Sequence, residues 1–253
     1  MLIDSHTHLQ WASFDRDRKA VIKRAMKAGV QKIVTVGFNL KGSRKAVKLA
    51  QENPGVCATV GIHPHSAKEL TEDALQELKQ LSTDRSVVAI GEIGLDYYRY
   101  LSPRHIQKQA FTRQLTLAEE LDLPVVVHDR DAHADVLEIL SMHRPRRKGV
   151  MHCFSGSRET AMKAISLNFY ISFAGTITFP SASQLQDVVR WIDLRKVLVE
   201  TDCPWLTPQE FRGKRNEPAY LPFIANKLGI LRGIPLGEIA EITTQNASDV
   251  LLH

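Results

Sequence analysis

At 253 residues with 43% apolar side chains, the chain can bury a full core and falls in the size range of one α/β barrel, which excludes a disordered class. Its formal charge of +5 leans only weakly towards polyanionic partners. The longest apolar runs, such as Pro124-Val125-Val126-Val127, are far below the roughly 20 residues of a membrane span. Met1 leads straight into a strand rather than a basic and apolar leader, so a soluble, cytoplasmic protein with no membrane partner is expected. Cys57, Cys153 and Cys203 are widely spaced without a CxxC pair; they read as reduced packing thiols rather than a disulfide framework or a zinc finger.

Apolar β-branched runs alternate with segments of helical periodicity from end to end, the pattern of repeated βα units. The first strand, residues 2–4, runs into Ser5-His6-Thr7-His8. Side chains at i and i+2 leave a strand on one face, so His6 and His8 can reach one ion together. A helix at 17–28 leads to strand 32–36, and a helix at 43–51 leads to strand 56–61. Beyond that third strand stand His63 and His65, with Pro64 between them. After helix 73–81, strand 87–91 ends at Glu92. Asp96, Tyr97 and Tyr98 follow on a loop, where an aromatic ring can stack on a base or cap the core. Helix 103–121 precedes strand 124–128, which ends in His128 with Asp129 and Arg130 beyond. Helix 132–140, strand 149–152 ending in His152, helix 159–167, strand 170–173 and helix 182–191 continue the alternation. Strand 197–200 ends in Glu200 with Asp202 just past it, and helices at 217–229 and 236–251 close the chain. Eight such units with no linker predict one (β/α)8 TIM-like barrel domain over residues 1–253 with C-terminal helices; a doubly wound open sheet shares the local pattern.

In a barrel of this kind the C-terminal strand ends carry the chemistry. Seven of the ten histidines fall there: His6, His8, His63, His65, His128, His152 and, just beyond strand five, His133. We expect His6, His8 and Asp202 at one divalent ion, His128 and His152 at a second, and Glu92 bridging both. Imidazole and carboxylate donors suit Zn²⁺, Mn²⁺ or Mg²⁺. Two ions roughly 3.5–4 Å apart are suited to hydrolysis. The bland alternative, strand-end histidines hydrogen-bonded to neighbours, serves for His128 or His152 singly. It fails for the set, because burying so many ionisable groups unpaired is costly.

Ile3-Asp4-Ser5-His6-Thr7-His8-Leu9, Gly61-Ile62-His63-Pro64-His65, Gly91-Glu92-Ile93-Gly94-Leu95-Asp96-Tyr97, Pro124 to His128, His152-Cys153-Phe154-Ser155-Gly156, Glu200-Thr201-Asp202 and Arg215-Asn216-Glu217-Pro218 together resemble the TatD family of metal-dependent deoxyribonucleases, in the amidohydrolase-like barrel superfamily. The resemblance covers nearly the whole chain. It implies a (β/α)8 metal-dependent hydrolase, places the metal ligands at the positions named above, and points to 3′-to-5′ exonuclease action on DNA. Cys203 and Trp205, after Asp202, and Asp129, between His128 and Arg130, are small departures that remove no ligand.

The expected catalytic residues are Asp202, Glu92 and His63. Asp202 would take the proton of the attacking water, against the plainer reading of a turn residue before Pro204. His63 and His65 would touch the scissile phosphate or the leaving oxygen. Arg130 would grip a phosphate or pair with a nearby acid. Glu200, on the same strand face as Asp202, would orient a ligand histidine or a water on the substrate side, or serve as a buried ion-pair partner. The run Arg212-Gly213-Lys214-Arg215 follows strand eight at the mouth; Arg215 in particular, with Arg99 and Arg158 nearby, would neutralise phosphates. Arg144-Pro145-Arg146-Arg147-Lys148 precedes strand six and should lie at the opposite end. His105, His143, His253 and also His133 lack ligand placement and read as surface or helix residues. No base-reading motif is present, so DNA contact should run mainly through the backbone with weak sequence preference. A metallohydrolase of a small ester, lactone, amide or phosphotriester is the alternative, although Glu92 supplies a bridge where many such barrels use a carboxylated lysine. A metal-keeping nucleic-acid binder without turnover is disfavoured by the intact Asp202. Nothing in the sequence assigns an oligomeric state.

Overall fold

A computed structural model describes residues 1–143 and 145–252; Arg144 and His253 lie outside the described residues. Eight parallel strands pair in the order of the chain: β1 (Leu2–Thr7), β2 (Val30–Val36), β3 (Val56–Val60), β4 (Val87–Asp96), β5 (Val125–Arg130), β6 (Gly149–Met151), β7 (Phe169–Phe173) and β8 (Val197–Val199). Sequential order with every pair parallel rules out the open doubly wound alternative, in which the order reverses at a switch point. Closure comes from the segment after β8. Thr7 bridges Cys203 in parallel, the Asp202 amide donates to the His6 carbonyl at 2.9 Å, and the His8 amide donates to the Cys203 carbonyl at 2.8 Å.

Nine α-helices among the described residues surround the barrel: α1 (Arg18–Lys27), α2 (Leu40–Glu52), α3 (Glu72–Leu81), α4 (Arg104–Glu120), α5 (His133–His143), α6 (Arg158–Ser166), α7 (Ser183–Trp191), α8 (Leu221–Arg232) and α9 (Leu236–Leu251). Several start where a side chain caps the free amides of the first turn: Asn39 accepts from the Gly42 amide, Thr71 from Ala74 and Ser157 from Thr160. None of the helices is long and apolar enough to cross a membrane among the described residues. The strands bury both faces: Ile33, Ile90 and Phe169 join the apolar cluster shared with the helices, and Val126 and Leu198 join a second cluster with Val34 and Ala89, all without exposed surface.

The largest departure from the expected boundaries is β4, which runs five residues past Gly91. Its extension pairs with β5 from Ile93↔Val127 to Asp96↔Arg130, so Glu92 stands inside a strand rather than at its end. Asp96 is the last residue of that strand and is fully buried. Cross-strand hydrogen bonding, which leaves no local signature, decides that length. Likewise β1 extends through His6 because Thr7 pairs with Thr35.

The β4 extension depends on Gly94. Its φ is +137°, and a Cβ there would overlap the His128 carbonyl oxygen, so only glycine lets β4 approach β5 beside a candidate ligand. Gly94→Ala should therefore cost about 2 kcal/mol or more, read as a fall of several degrees in the thermal midpoint. An unchanged midpoint would contradict this role.

Candidate metal centre

The strand ends bring His6, His8, Glu92 and Asp202 around one gap. His6 Nε2 lies 3.2 Å from His8 Nε2 and 3.5 Å from Glu92 Oε2, and Asp202 Oδ1 lies 3.4 Å from His8 Nε2 and 3.8 Å from His6 Nε2. Donors about 2.0–2.1 Å from a common tetrahedral ion are separated by roughly 3.3 Å, and these spacings are of that size. The other oxygen of Glu92 faces a second group. Oε1 lies 2.7 Å from His128 Nδ1 and 2.8 Å from His152 Nε2, and those two nitrogens are 3.2 Å apart. One carboxylate thus stands between two sets of donors.

The far side of each ring sets which nitrogen faces inward. His8 Nδ1 lies 3.1 Å from the Val36 carbonyl, which accepts its proton and leaves the Nε2 lone pair pointing into the gap. His152 Nδ1 lies 3.2 Å from Glu200 Oε1, and His128 Nε2 lies 3.2 Å from Asp96 Oδ2. His6 stacks on His152 at 3.9 Å, and its buried Nδ1 has no hydrogen-bond partner. Among the described residues no Lys or Arg forms an ion pair with Glu92, Glu200 or Asp202; only histidines do. A buried set of carboxylates and ring lone pairs lacking any fixed cation fits one or more divalent ions.

Without an ion, protons take that place. Burial opposes ionisation of Glu92, yet His152, His63 and His128 outweigh it and hold the carboxyl well below its usual range. Burial likewise works against charge on His152, but Glu92 and Glu200 raise it well above an ordinary imidazole. His128 is also raised, by Asp96 and Glu92 acting against burial. Asp202 is lowered despite its burial by the hydrogen bond to His8 and the proximity of His6. His63 differs: burial pushes it down to about 4, so its ring is neutral near pH 7. Its Nδ1 accepts from the His65 amide at 3.1 Å, which puts the proton on Nε2, 3.4 Å from Glu92 Oε1. His63 could also join Glu92 and His128 as a ligand, but only by giving up that proton.

Residues 3–252 match the model of the TatD related DNase family. The chain belongs to the TatD family. It is 44% identical to the uncharacterized metal-dependent hydrolase YabD of Bacillus subtilis (strain 168) over 98% of this chain and 97% of that one. It is 38% identical to the 3′-5′ ssDNA/RNA exonuclease TatD of Erwinia tasmaniensis, covering 97% and 98% respectively. The crystal structure of YjjV, a TatD homolog from Escherichia coli K12, superposes with a TM-score of 0.93 at 33% identity, covering 99% of this chain and 97% of that chain. This TatD-family barrel is therefore a metal-dependent hydrolase.

The substrate side of this TatD-family site departs from expectation at Arg215, and at Glu200 the structure takes the ligand-orienting one of the two readings. Arg215 does not point into the mouth: its fork donates to both oxygens of Asp17 at 3.0 and 2.7 Å and lies over the Phe14 ring. It ties the segment after β8 to the start of α1. Glu200 has no exposed surface and accepts from the Cys153 amide at 2.7 Å, so it sits behind His152 and orients that ring instead of meeting substrate. His65 is held outside the gap by Asp96 Oδ2 at 2.8 Å. Arg130, by contrast, stacks on exposed Tyr98 at 3.9 Å and has no carboxylate partner among the described residues. Tyr97 is committed to Asp135 through its hydroxyl at 2.5 Å, and Arg158 to Asp187. At the opposite end Arg147 pairs with Asp122. His133 opens α5 and holds Asp129 at 2.8 Å, and His105 and His143 lie on helices.

Asn216 and Asp4 are site residues that strand-end position alone does not reveal. The buried Asn216 amide donates to the Thr201 and Trp205 carbonyls at 2.8 and 2.5 Å, and buried Asp4 accepts from the Thr201 amide and hydroxyl at 2.9 and 2.6 Å. Together they hold the turn carrying Asp202, whose φ of +51° is a left-handed conformation that Asp tolerates better than most residues. The only sequence signal was their membership of the motifs quoted above.

Proposed function

We propose that this chain removes nucleotides from the 3′ ends of single-stranded or 3′-overhang DNA, using two divalent ions, Zn²⁺, Mn²⁺ or Mg²⁺, at the two donor sets. The observation that carries the reading is the split of Glu92, with Oε2 towards His6 and His8 and Oε1 towards His128 and His152. Ions so placed would polarise the scissile phosphate, activate the attacking water and offset charge on the leaving oxygen. Asp202, ionised at neutral pH and facing the first set, accepts the proton of that water. His63, neutral with its proton on Nε2, donates a hydrogen bond to a phosphate oxygen or to the leaving group. Arg130 contributes a cation to the substrate phosphates from the β5 end of the mouth. The substrate class is supported by the relative from Erwinia tasmaniensis named an ssDNA/RNA exonuclease.

Metal-reconstituted protein should shorten a 3′-overhang DNA oligonucleotide stepwise from that end, with RNA of the same sequence run alongside. A chelator should abolish the ladder. No cleavage of either polymer with any of the three metals would sink the nuclease reading in favour of a small-molecule hydrolase.

A further inference from the structure

Three aromatic rings from neighbouring barrel segments meet at the mouth, and neither acid–base nor metal chemistry uses them. Trp11 follows β1, Phe38 follows β2 and Trp205 follows β8. Their centroids lie 5.1 Å apart for Trp11 and Phe38 and 5.3 Å apart for Trp11 and Trp205. The cluster touches the candidate centre directly, because the His8 ring lies edge-on to Trp205 at 5.1 Å and to Phe38 at 5.8 Å. It also reaches solvent: His8 is buried, while Trp11 and Trp205 are 38% and 43% exposed. Leaving indole surface in water forgoes burial that would favour folding, so two such faces beside a catalytic centre call for an occupant.

The backbone that carries Trp205 is also held in place. The Trp205 amide donates to the Asp202 carbonyl at 3.1 Å, and its own carbonyl accepts from Asn216. Little backbone ordering cost is therefore left for a ligand to meet there. A planar, uncharged, π-bearing group is the chemistry that fits an exposed indole face.

We infer that Trp11 and Trp205 form a stacking platform for a nucleobase flanking the scissile phosphate. This rests on the nuclease reading and deepens it. Every base has a π-face, so the platform tolerates any sequence. A base inside a duplex is already stacked and must leave its neighbours to reach the platform, so the platform favours single-stranded ends. Phe38 backs the indoles and is a positioning residue.

The test compares kcat/KM for oligonucleotides carrying a normal or an abasic residue at the terminal or penultimate position. Wild-type protein should prefer the normal base at one of these positions by about tenfold or more. Trp205→Leu should collapse the ratio towards one, and Trp205→Phe should restore much of it. The ratio is insensitive to a general loss of active protein. Equal rates on normal and abasic ends, or an undiminished ratio in Trp205→Leu, would overturn the proposal.

A binding arm uses metal-reconstituted Asp202→Asn protein, octathymidylate and its all-abasic counterpart, followed by tryptophan fluorescence. Trp191, at the end of α7 that leads into β8, lies at the other end of the barrel and gives a constant background. Octathymidylate should bind about tenfold tighter than the abasic chain, with saturable quenching that Trp205→Leu removes. If DNA is never cleaved yet this difference is seen, the nuclease reading fails and the platform stands. Absence of the difference refutes the platform even where cleavage occurs.

Discussion

Asp202→Asn should lower hydrolysis by about a thousandfold or more while leaving the fold in place. The substitution preserves shape, and asparagine accepts the left-handed backbone at φ +51° as readily as aspartate does. The Asp202 amide keeps its bond to the His6 carbonyl. What disappears is a carboxylate held in its ionised form beside His8 and His6. Loss of a general base alone removes roughly 10²–10⁴ in rate, and loss of a ligand charge adds to it. Turnover of an oligonucleotide, metal content by mass spectrometry and the thermal midpoint should be measured together. Retention of more than about a tenth of the wild-type rate would remove Asp202 from the mechanism. A midpoint lowered by many degrees would show that the effect is structural.

Glu92→Gln should have a second large effect, this time on metal content. One Glu92 oxygen serves each donor set, and a carboxamide has only one acceptor oxygen to offer. The variant should therefore lose at least one equivalent of bound metal and lose activity with it. Chelator-treated wild-type protein supplies the companion measurement. His152 and His128 are raised in the folded state, so the stability they contribute is present below an ordinary imidazole's range and is lost as pH rises through their folded values. Glu92 is lowered, so its contribution is lost only as pH falls into the acid range. The metal-free protein should accordingly become less stable as pH rises above about 6.5. Glu92→Gln should flatten that decline. Bound metal should oppose it, because metal binding displaces the same protons and strengthens with pH. A metal-free midpoint that climbs between pH 6.5 and 8.5 would contradict the arrangement of charges around Glu92.

Such predictions draw unequally on sequence and structure. The repeating strand and helix periods were enough to place all eight strands, and the last helix, Leu236–Leu251, coincides with its expected span. His6, His8, Glu92, His128, His152 and Asp202 could be picked out because polar residues ending apolar strands are conspicuous in one dimension, and a barrel sends all strand ends to the same face. The role of Arg215 could not be read this way, and for Glu200 the sequence left several roles open. Arg215 is held by Asp17, 198 positions away, and Glu200 by His152 and Cys153, 48 and 47 positions away. A charged residue near a mouth looks the same in sequence whether it faces substrate or a buried partner.

The sequence by itself determined the type of fold, the kind of donor atoms and the end of the barrel at which they gather, since each follows from local periodicity and side-chain chemistry. Only the tertiary structure decided how those donors are shared. It aims the two Glu92 oxygens at different histidines, extends β4 so that Glu92 lies within the sheet, and gathers Trp11, Phe38 and Trp205 beside His8. The physical reason is that ring orientation, strand pairing and side-chain partnership are fixed by contacts between segments far apart in the chain.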